Sequence, residues 1–196
     1  CPLYLLEFSH SLPAGDMRTG LWGWLDEAGS WVLRPDYKWA SCFNKAGIAP
    51  YADDSDLCGL ISLEGKTVLK PAFTQLASIY ASELFIAQKE EGGPYGIIDT
   101  QGSWVVEPAY EAIKSQPVAE SPLIAFRETG SELYGLAPSP EEIGTHTTER
   151  FESVFLNTRD SMFPAQDPES HLWGHIDSSG KWVIEPVYRN VRYFSP

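Results

Sequence analysis

Basic side chains are scarce in this chain: 14 Lys and Arg stand against 27 Asp and Glu, a net charge of −13 at pH 7. Nucleic acids and anionic membrane surfaces are bound through basic patches, so neither is an expected partner. Long apolar runs are missing too. None approaches the roughly 18 residues a membrane-crossing helix needs, so no membrane-spanning segment is expected. Cysteine is confined to Cys1, Cys42 and Cys58, too few and too scattered for a disulfide framework or a zinc site. The four histidines are dispersed, and no nucleophile elbow, phosphate-binding loop or dinucleotide fingerprint occurs. The sequence therefore predicts no catalytic residue, no cofactor and no metal.

What the chain does have is a repeat. A glycine is followed six residues later by a second glycine, and six after that by a proline, in LWGWLDEAGSWVLRP (21–35), LCGLISLEGKTVLKP (57–71), YGIIDTQGSWVVEP (95–108) and LWGHIDSSGKWVIEP (172–186). A decayed copy starts at LYGL (133–136). The leading glycines are Gly23, Gly59, Gly96, Gly135 and Gly174, a period of 36 to 39 residues. Such a period marks one supersecondary unit copied along the chain, with a core made only where neighbours stack.

The third copy shows how a unit is built. YGIID (95–99) is a short apolar run rich in β-branched residues and reads as a strand. Asp99-Thr100-Gln101-Gly102 carries a carboxylate at the first turn position and glycine at the fourth, the pattern of a tight turn with Gly102 at positive φ. SWVVE (103–107) returns as a second strand that Pro108 is expected to end, since proline cannot donate to a ladder. A third strand follows Tyr110 and a fourth is LIAF (123–126). Fourth strands elsewhere are GIAPY (47–51), LFIAQ (84–88) and MFPAQ (162–166). In the decayed copy the hairpin becomes LAPSPEEIGTHTTERF (136–151), about two residues longer and without the turn glycine or the tryptophan.

The units run about 21–56, 57–93, 94–132, 133–171 and 172–194, in one domain over 1–196. The last stops at its third strand, VYRNVRYF (187–194), while LYLLEF (3–8) resembles a fourth strand with no unit before it. Pairing of Leu3–Phe8 with the last unit would remove both exposed edges. The expected fold is all-β: five repeats of about four short antiparallel strands, closed into a β-propeller-like ring. An open β-repeat solenoid is the alternative.

This pattern resembles the WG-repeat (KWG) proteins of bacteria, whose units read roughly W-G-x-I-D-x-x-G-x-x-V-I-x-P-x-Y. The match lies in LWGWLDEAGSWVLRPDY and LWGHIDSSGKWVIEPVY, with Tyr or Trp before the glycine in four of five copies. It covers about residues 21–194. The resemblance implies a β-hairpin repeat used as an interaction module, with no catalytic motif. The sequence leaves the location open between bacterial cytoplasm and periplasm. If Cys1 is a mature N-terminus, the chain would be a lipoprotein acylated there.

Several residues allow a sharper reading. Asp26, Asp99 and Asp177 recur at a fixed distance from the turn glycine, which assigns them to the turn, with Ser62 in the same role. Trp31, Trp104 and Trp182 sit eight residues after their glycine in apolar strands, where packing between units is expected. Trp24 and Trp39 have no counterparts, so they are the aromatics expected at an exposed, functional surface. Cys58 fills a slot that is Trp or Tyr in the other copies, so a buried free thiol is expected there; a Cys42–Cys58 bridge is the alternative. His171 and His175, four apart, would share one face of a strand. Neither recurs, and surface placement is expected rather than a metal site.

Charge gives the functional reading. The connections from a fourth strand to the next first strand are SHSLPAGDMRTG (9–20), ADDSD (52–56), KEEGG (89–93), RETGSE (127–132) and DPESH (167–171). They carry Asp16, Asp53, Asp54, Asp56, Glu90, Glu91, Glu128, Glu132, Asp167 and Glu169 against only Arg18, Lys89 and Arg127. More than half of the chain's net charge is therefore expected on one rim, where it would steer a basic protein. The predicted function is a non-enzymatic protein-binding module, in its concrete form an immunity or inhibitor protein that caps a basic toxin. The alternative is a carbohydrate or cell-envelope binder using exposed aromatics.

Overall fold

A computed structural model describes residues 11–79, 82–115, 123–144, 149–156 and 162–191. Among them are seventeen strands and one short 3-10 turn, Pro140–Glu142. The strands are β1 (Ser11–Gly15), β2 (Trp22–Asp26), β3 (Trp31–Tyr37), β4 (Trp39–Ala40), β5 (Ile48–Ala52), β6 (Cys58–Ser62), β7 (Thr67–Phe73), β8 (Gln75–Ser78) and β9 (Phe85–Gln88). They continue as β10 (Tyr95–Ile98), β11 (Trp104–Ser115), β12 (Ile124–Glu128), β13 (Gly135–Ala137), β14 (Ser153–Val154), β15 (Phe163–Gln166), β16 (Trp173–Ile176) and β17 (Trp182–Tyr188). No helix among the described residues is long and apolar enough to cross a membrane.

The strands form four sheets, ordered β1-β2-β3, β4-β5-β6-β7, β13-β12-β11-β10-β9-β8 and β14-β15-β16-β17. The all-β expectation holds, and so do the short antiparallel strands. Each sheet is offset from the sequence repeat by half a unit. In β4-β5-β6-β7 the first two strands end one repeat and the last two open the next. Their registers pair Trp39 with Ala52, Ala52 with Cys58 and Cys58 with Phe73.

The chain divides into two compact units, residues 1–93 with 97–104, and 94–96 with 105–196. In the first, one apolar cluster gathers Trp24, Phe43, Ala49, Tyr51 and Ile61, and a second gathers Leu60, Phe73, Leu76, Phe85 and Ile98. In the second unit a cluster forms around Leu136, Phe151, Val154, Phe163 and Ile176. Burying side chains of this size contributes about 1.5–3 kcal/mol each.

The repeat motif has local reasons. In three copies the register shifts at the leading glycine, between Trp22 and Trp24, Cys58 and Leu60, and Trp173 and His175. A Cβ on Gly23 would stand 2.5 Å from the Leu33 carbonyl oxygen, and one on Gly59 2.5 Å from that of Leu69, so no side chain fits. Opposite each shift lies the repeat's proline. The strand does not stop there: β3 runs through Pro35, β7 through Pro71, β11 through Pro108 and β17 through Pro186. The expectation that Pro108 ends its strand fails, because at an irregular pairing the missing N–H costs no ladder bond.

The turns follow the sequence closely. Asp26 Oδ1 accepts from the N–H groups of Ala28 (2.9 Å) and Ser30 (2.8 Å). Asp99 does the same for Gln101 and Ser103, and Asp177 for Ser179 and Lys181. Gly102 closes its turn at φ +83°. Ser62 departs from the expectation: its hydroxyl donates to Glu64 at 2.7 Å, and the turn is held by the Gly65 N–H on the Ser62 carbonyl.

The strand that precedes the first repeat is β1. Its pairing of Ala14 with Gly23 matches that of Tyr51 with Gly59 in β5–β6. Ser11–Gly15, read as connection in the sequence, is thus the fourth-strand equivalent. The expectation that Leu3–Phe8 closes a ring falls on residues outside those described.

Candidate functional site

The five connections occupy equivalent places in their sheets, each joining a fourth strand to the next first strand, the first of them reduced to 16–21 because Ser11–Gly15 is itself the fourth strand. Their acids divide into two groups. Asp16, Asp53 and Asp167 open their loops and fold them. Asp53 Oδ1 accepts from the Ser55 amide (2.9 Å) and hydroxyl (2.6 Å), and Asp167 Oδ2 from the Ser170 amide (2.8 Å) and hydroxyl (2.6 Å). Asp16 accepts from the Arg18 amide at 2.8 Å. These bonds, the serine hydroxyl first at Asp53 and Asp167 and the Arg18 amide first at Asp16, hold the three carboxyls below the usual aspartate range. Such acids are committed to the loop.

Asp54, Glu90, Glu91, Glu128, Glu132 and Glu169 are exposed. Asp56 is exposed too, at φ +61°, and both its oxygens accept from Lys38 Nζ at 3.1 Å. The loops' own bases are occupied: Arg18 meets Asp16, Lys89 lies 4.7 Å from the Phe73 ring centre, and Arg127 meets Glu111 at 3.5 Å. What these connections present outward is uncompensated negative charge.

A cavity of about 430 Å³ opens beside the 53–56 loop. Its floor is Ala52, Cys58 and Leu76, Trp39 forms one wall, Thr74 and Gln75 another, and Lys38 and Asp56 stand at the mouth. Ala52, Cys58 and Leu76 are buried, whereas Trp39 is 40% exposed. The Cys58 thiol donates to the Thr74 carbonyl at 3.8 Å, and burial pushes its pKa up. A thiol of this kind is unreactive. Cys58 is a free, buried cysteine while Cys42 is disulfide-bonded, so the Cys42–Cys58 alternative is excluded. The cavity went unread in the sequence, although the signal was present: cysteine stands where other repeats hold Trp22, Tyr95, Tyr134 or Trp173.

The aromatics sort differently from their expected roles. Trp24 is fully buried, packed on Tyr37 and Phe43, with its indole N–H donating to the Ser41 carbonyl at 2.8 Å. Expected at the surface, it is instead a core residue, because β2 is paired on both sides. Trp39 is exposed as expected. Trp104 and Trp182 pack edge-on against Phe73 (5.9 Å) and Phe151 (5.7 Å). Trp31, expected to pack likewise, is 40% exposed on edge strand β3.

His171 and His175 do not share a strand face. His171 lies in the loop at φ +58°, its Nδ1 2.7 Å from Glu152 Oε2. His175 is buried in β16. Among the described residues no group of His, Cys, Asp or Glu is placed to hold a metal ion.

Residues 22–54, 95–121 and 173–195 match the family profile described as WG containing repeat. No curated protein matches the sequence. Among solved structures, Kluyveromyces lactis Hsv2 is similar in fold, with a TM-score of 0.54 at 10% identity. The similarity covers 90% of this chain but 60% of that protein, and at such identity it speaks to fold alone.

Proposed function

We propose, from the premise that this chain belongs to the WG-containing repeat family, that it is a non-enzymatic binding module whose acidic connections receive a basic protein. The observation that carries this reading is the state of the charges in those connections. Asp54, Glu90, Glu91, Glu128, Glu132 and Glu169 are exposed, while every basic residue of the same loops is engaged locally. A rigid β scaffold holding unpaired carboxylates attracts a cationic surface and raises its rate of encounter. The concrete form of the proposal is an immunity or inhibitor protein that occupies the cationic cleft of a toxin.

The carbohydrate alternative keeps Trp39 as an exposed aromatic and loses Trp24, which is core. The test is affinity capture from a bacterial extract at about 50 mM and about 500 mM salt, which spans weak to strong screening. The triple variant Asp54→Lys, Glu90→Lys, Glu91→Lys serves as control. It leaves the loop-folding Asp53 in place. A basic protein retained by the wild type at low salt only, and lost by the variant, supports the proposal. Salt-insensitive retention of glycan by both chains overturns it.

A further inference from the structure

We propose that the cavity beside Trp39 takes one apolar side chain, aromatic or long aliphatic, from a loop of the basic partner, while a flanking lysine or arginine meets Asp54. This rests on the acidic-connection reading and adds where the partner's anchoring residue goes.

The cavity has an origin in the sequence. Across the loop end of the sheet β4-β5-β6-β7 the paired row is Trp39, Ala52, Cys58, Phe73. The corresponding row of β14-β15-β16-β17 is Ser153, Gln166, Trp173, Tyr188. Where the second row has large central side chains, the first has its two smallest, and a ring-sized space is left beside Trp39. The floor offers nothing that a polar or charged ligand needs, since the Cys58 thiol already bonds to Thr74. An apolar group gains there by leaving water. The volume, about 430 Å³, lies at the low end of the roughly 300–1,000 Å³ typical of small-ligand sites, and suits one large side chain.

The mouth supplies the selectivity. Lys38 and Asp56 pair with each other at the entrance and cancel, so Asp54, exposed on the same loop, is the carboxylate left to meet a cation. An anchor side chain that fills such a pocket and loses its water carries a large share of the binding energy in protein interfaces.

The experiment follows the Trp39 indole N–H by NMR during titration with four capped tripeptides: Lys-Phe-Lys, Lys-Gly-Lys, Glu-Phe-Glu and Glu-Gly-Glu. Lys-Phe-Lys should bind about tenfold more tightly than Lys-Gly-Lys, and Glu-Phe-Glu should not compete. Trp39→Ala, and independently Cys58→Trp, which refills the slot, should reduce Lys-Phe-Lys to the Lys-Gly-Lys level; there the glycine peptide serves as reporter through the loop amides. Equal binding of Lys-Phe-Lys and Lys-Gly-Lys overturns the cavity proposal. In that case a persistent, salt-sensitive preference for Lys-Gly-Lys over Glu-Gly-Glu leaves the acidic reading standing, and loss of that preference removes it as well. Binding of Glu-Phe-Glu as tight as Lys-Phe-Lys overturns the proposal too, since the site would then select apolar ligands regardless of charge.

Discussion

The sheets β4-β5-β6-β7 and β14-β15-β16-β17 share strand order, register shift and repeat motif, yet they use the motif to different ends. At the loop end one is hollow and the other filled: Cys58 stands where the second has Trp173, which stacks on Phe155 with ring centres 5.1 Å apart and planes 6° apart. Two residues further along, fully buried Leu60 stands where the second has buried His175. The backbone motif dictates the sheet, and the residues flanking the leading glycine are free to differentiate it.

The largest effect should come where a hairpin packs on the one before it. Phe73 and Phe151 both lie under a tryptophan from the next hairpin. Phe73→Ala and Phe151→Ala should each cost about 3–5 kcal/mol, measured by urea unfolding. Unequal costs would show that the two contacts are not energetic equivalents.

Next comes the glycine at the register shift. With a Cβ at 2.5 Å from the Leu69 carbonyl, Gly59→Ala should lose about 1–3 kcal/mol through backbone displacement. Gly92→Ala, on an open loop at φ +72°, should lose about 1 kcal/mol. A Gly59 variant as stable as Gly92→Ala would remove the close approach as the reason for the motif.

Exchanging the distinctive residue should cost less than either. Cys58→Tyr places a ring in existing space and should change stability by less than about 1.5 kcal/mol. Trp173→Cys should lose more, because it removes a ring that is stacked on Phe155 and leaves its space unfilled. Thermal unfolding of the pair decides, and the reverse order would mean that the cavity is too shallow for a ring.

The smallest effect is a dependence on pH. Burial lowers the His175 pKa below the ordinary 6.5, so the folded state prefers the neutral ring. Its stability is full above the unfolded pKa and falls as pH drops below it. His171 has the opposite sign: its contact with Glu152 raises its pKa, so that contribution is present below the unfolded pKa and lost as pH rises through the folded one. His175→Leu, which copies Leu60, should flatten the acid side of a stability profile, and an unchanged acid limb would rule out His175 as its source.

Much of the architecture was legible because backbone requirements leave residue-level marks. Glycine at the shift, aspartate and glycine in the turn, and proline opposite the shift recur because each answers a local steric or hydrogen-bond demand. Two things were hidden by the same regularity. A repeat can be cut anywhere, so its spacing does not reveal that a sheet begins at Trp39 rather than at Trp22. Recurrence also does not report burial: Trp24 read as exposed because no other copy has its counterpart, and Trp31 as packed because Trp104 and Trp182 recur at its position, yet Trp24 is core and Trp31 is 40% exposed. Among the acids, composition could not separate Asp53 and Asp167, which fold their loops, from Asp54 and Glu169, which face outward. The serine two or three residues downstream, Ser55 or Ser170, was the available signal.

The half-unit offset between sheet and repeat has a consequence for the gene as well as for the fold. A single repeat excised from the chain would carry the closing half of one sheet and the opening half of another, each lacking its mate. Copies of that fragment would complete one another by exchange, like links in a chain. Any duplication or loss of a whole repeat therefore leaves two ends that still match, so the array can lengthen or shorten without a new contact having to be invented.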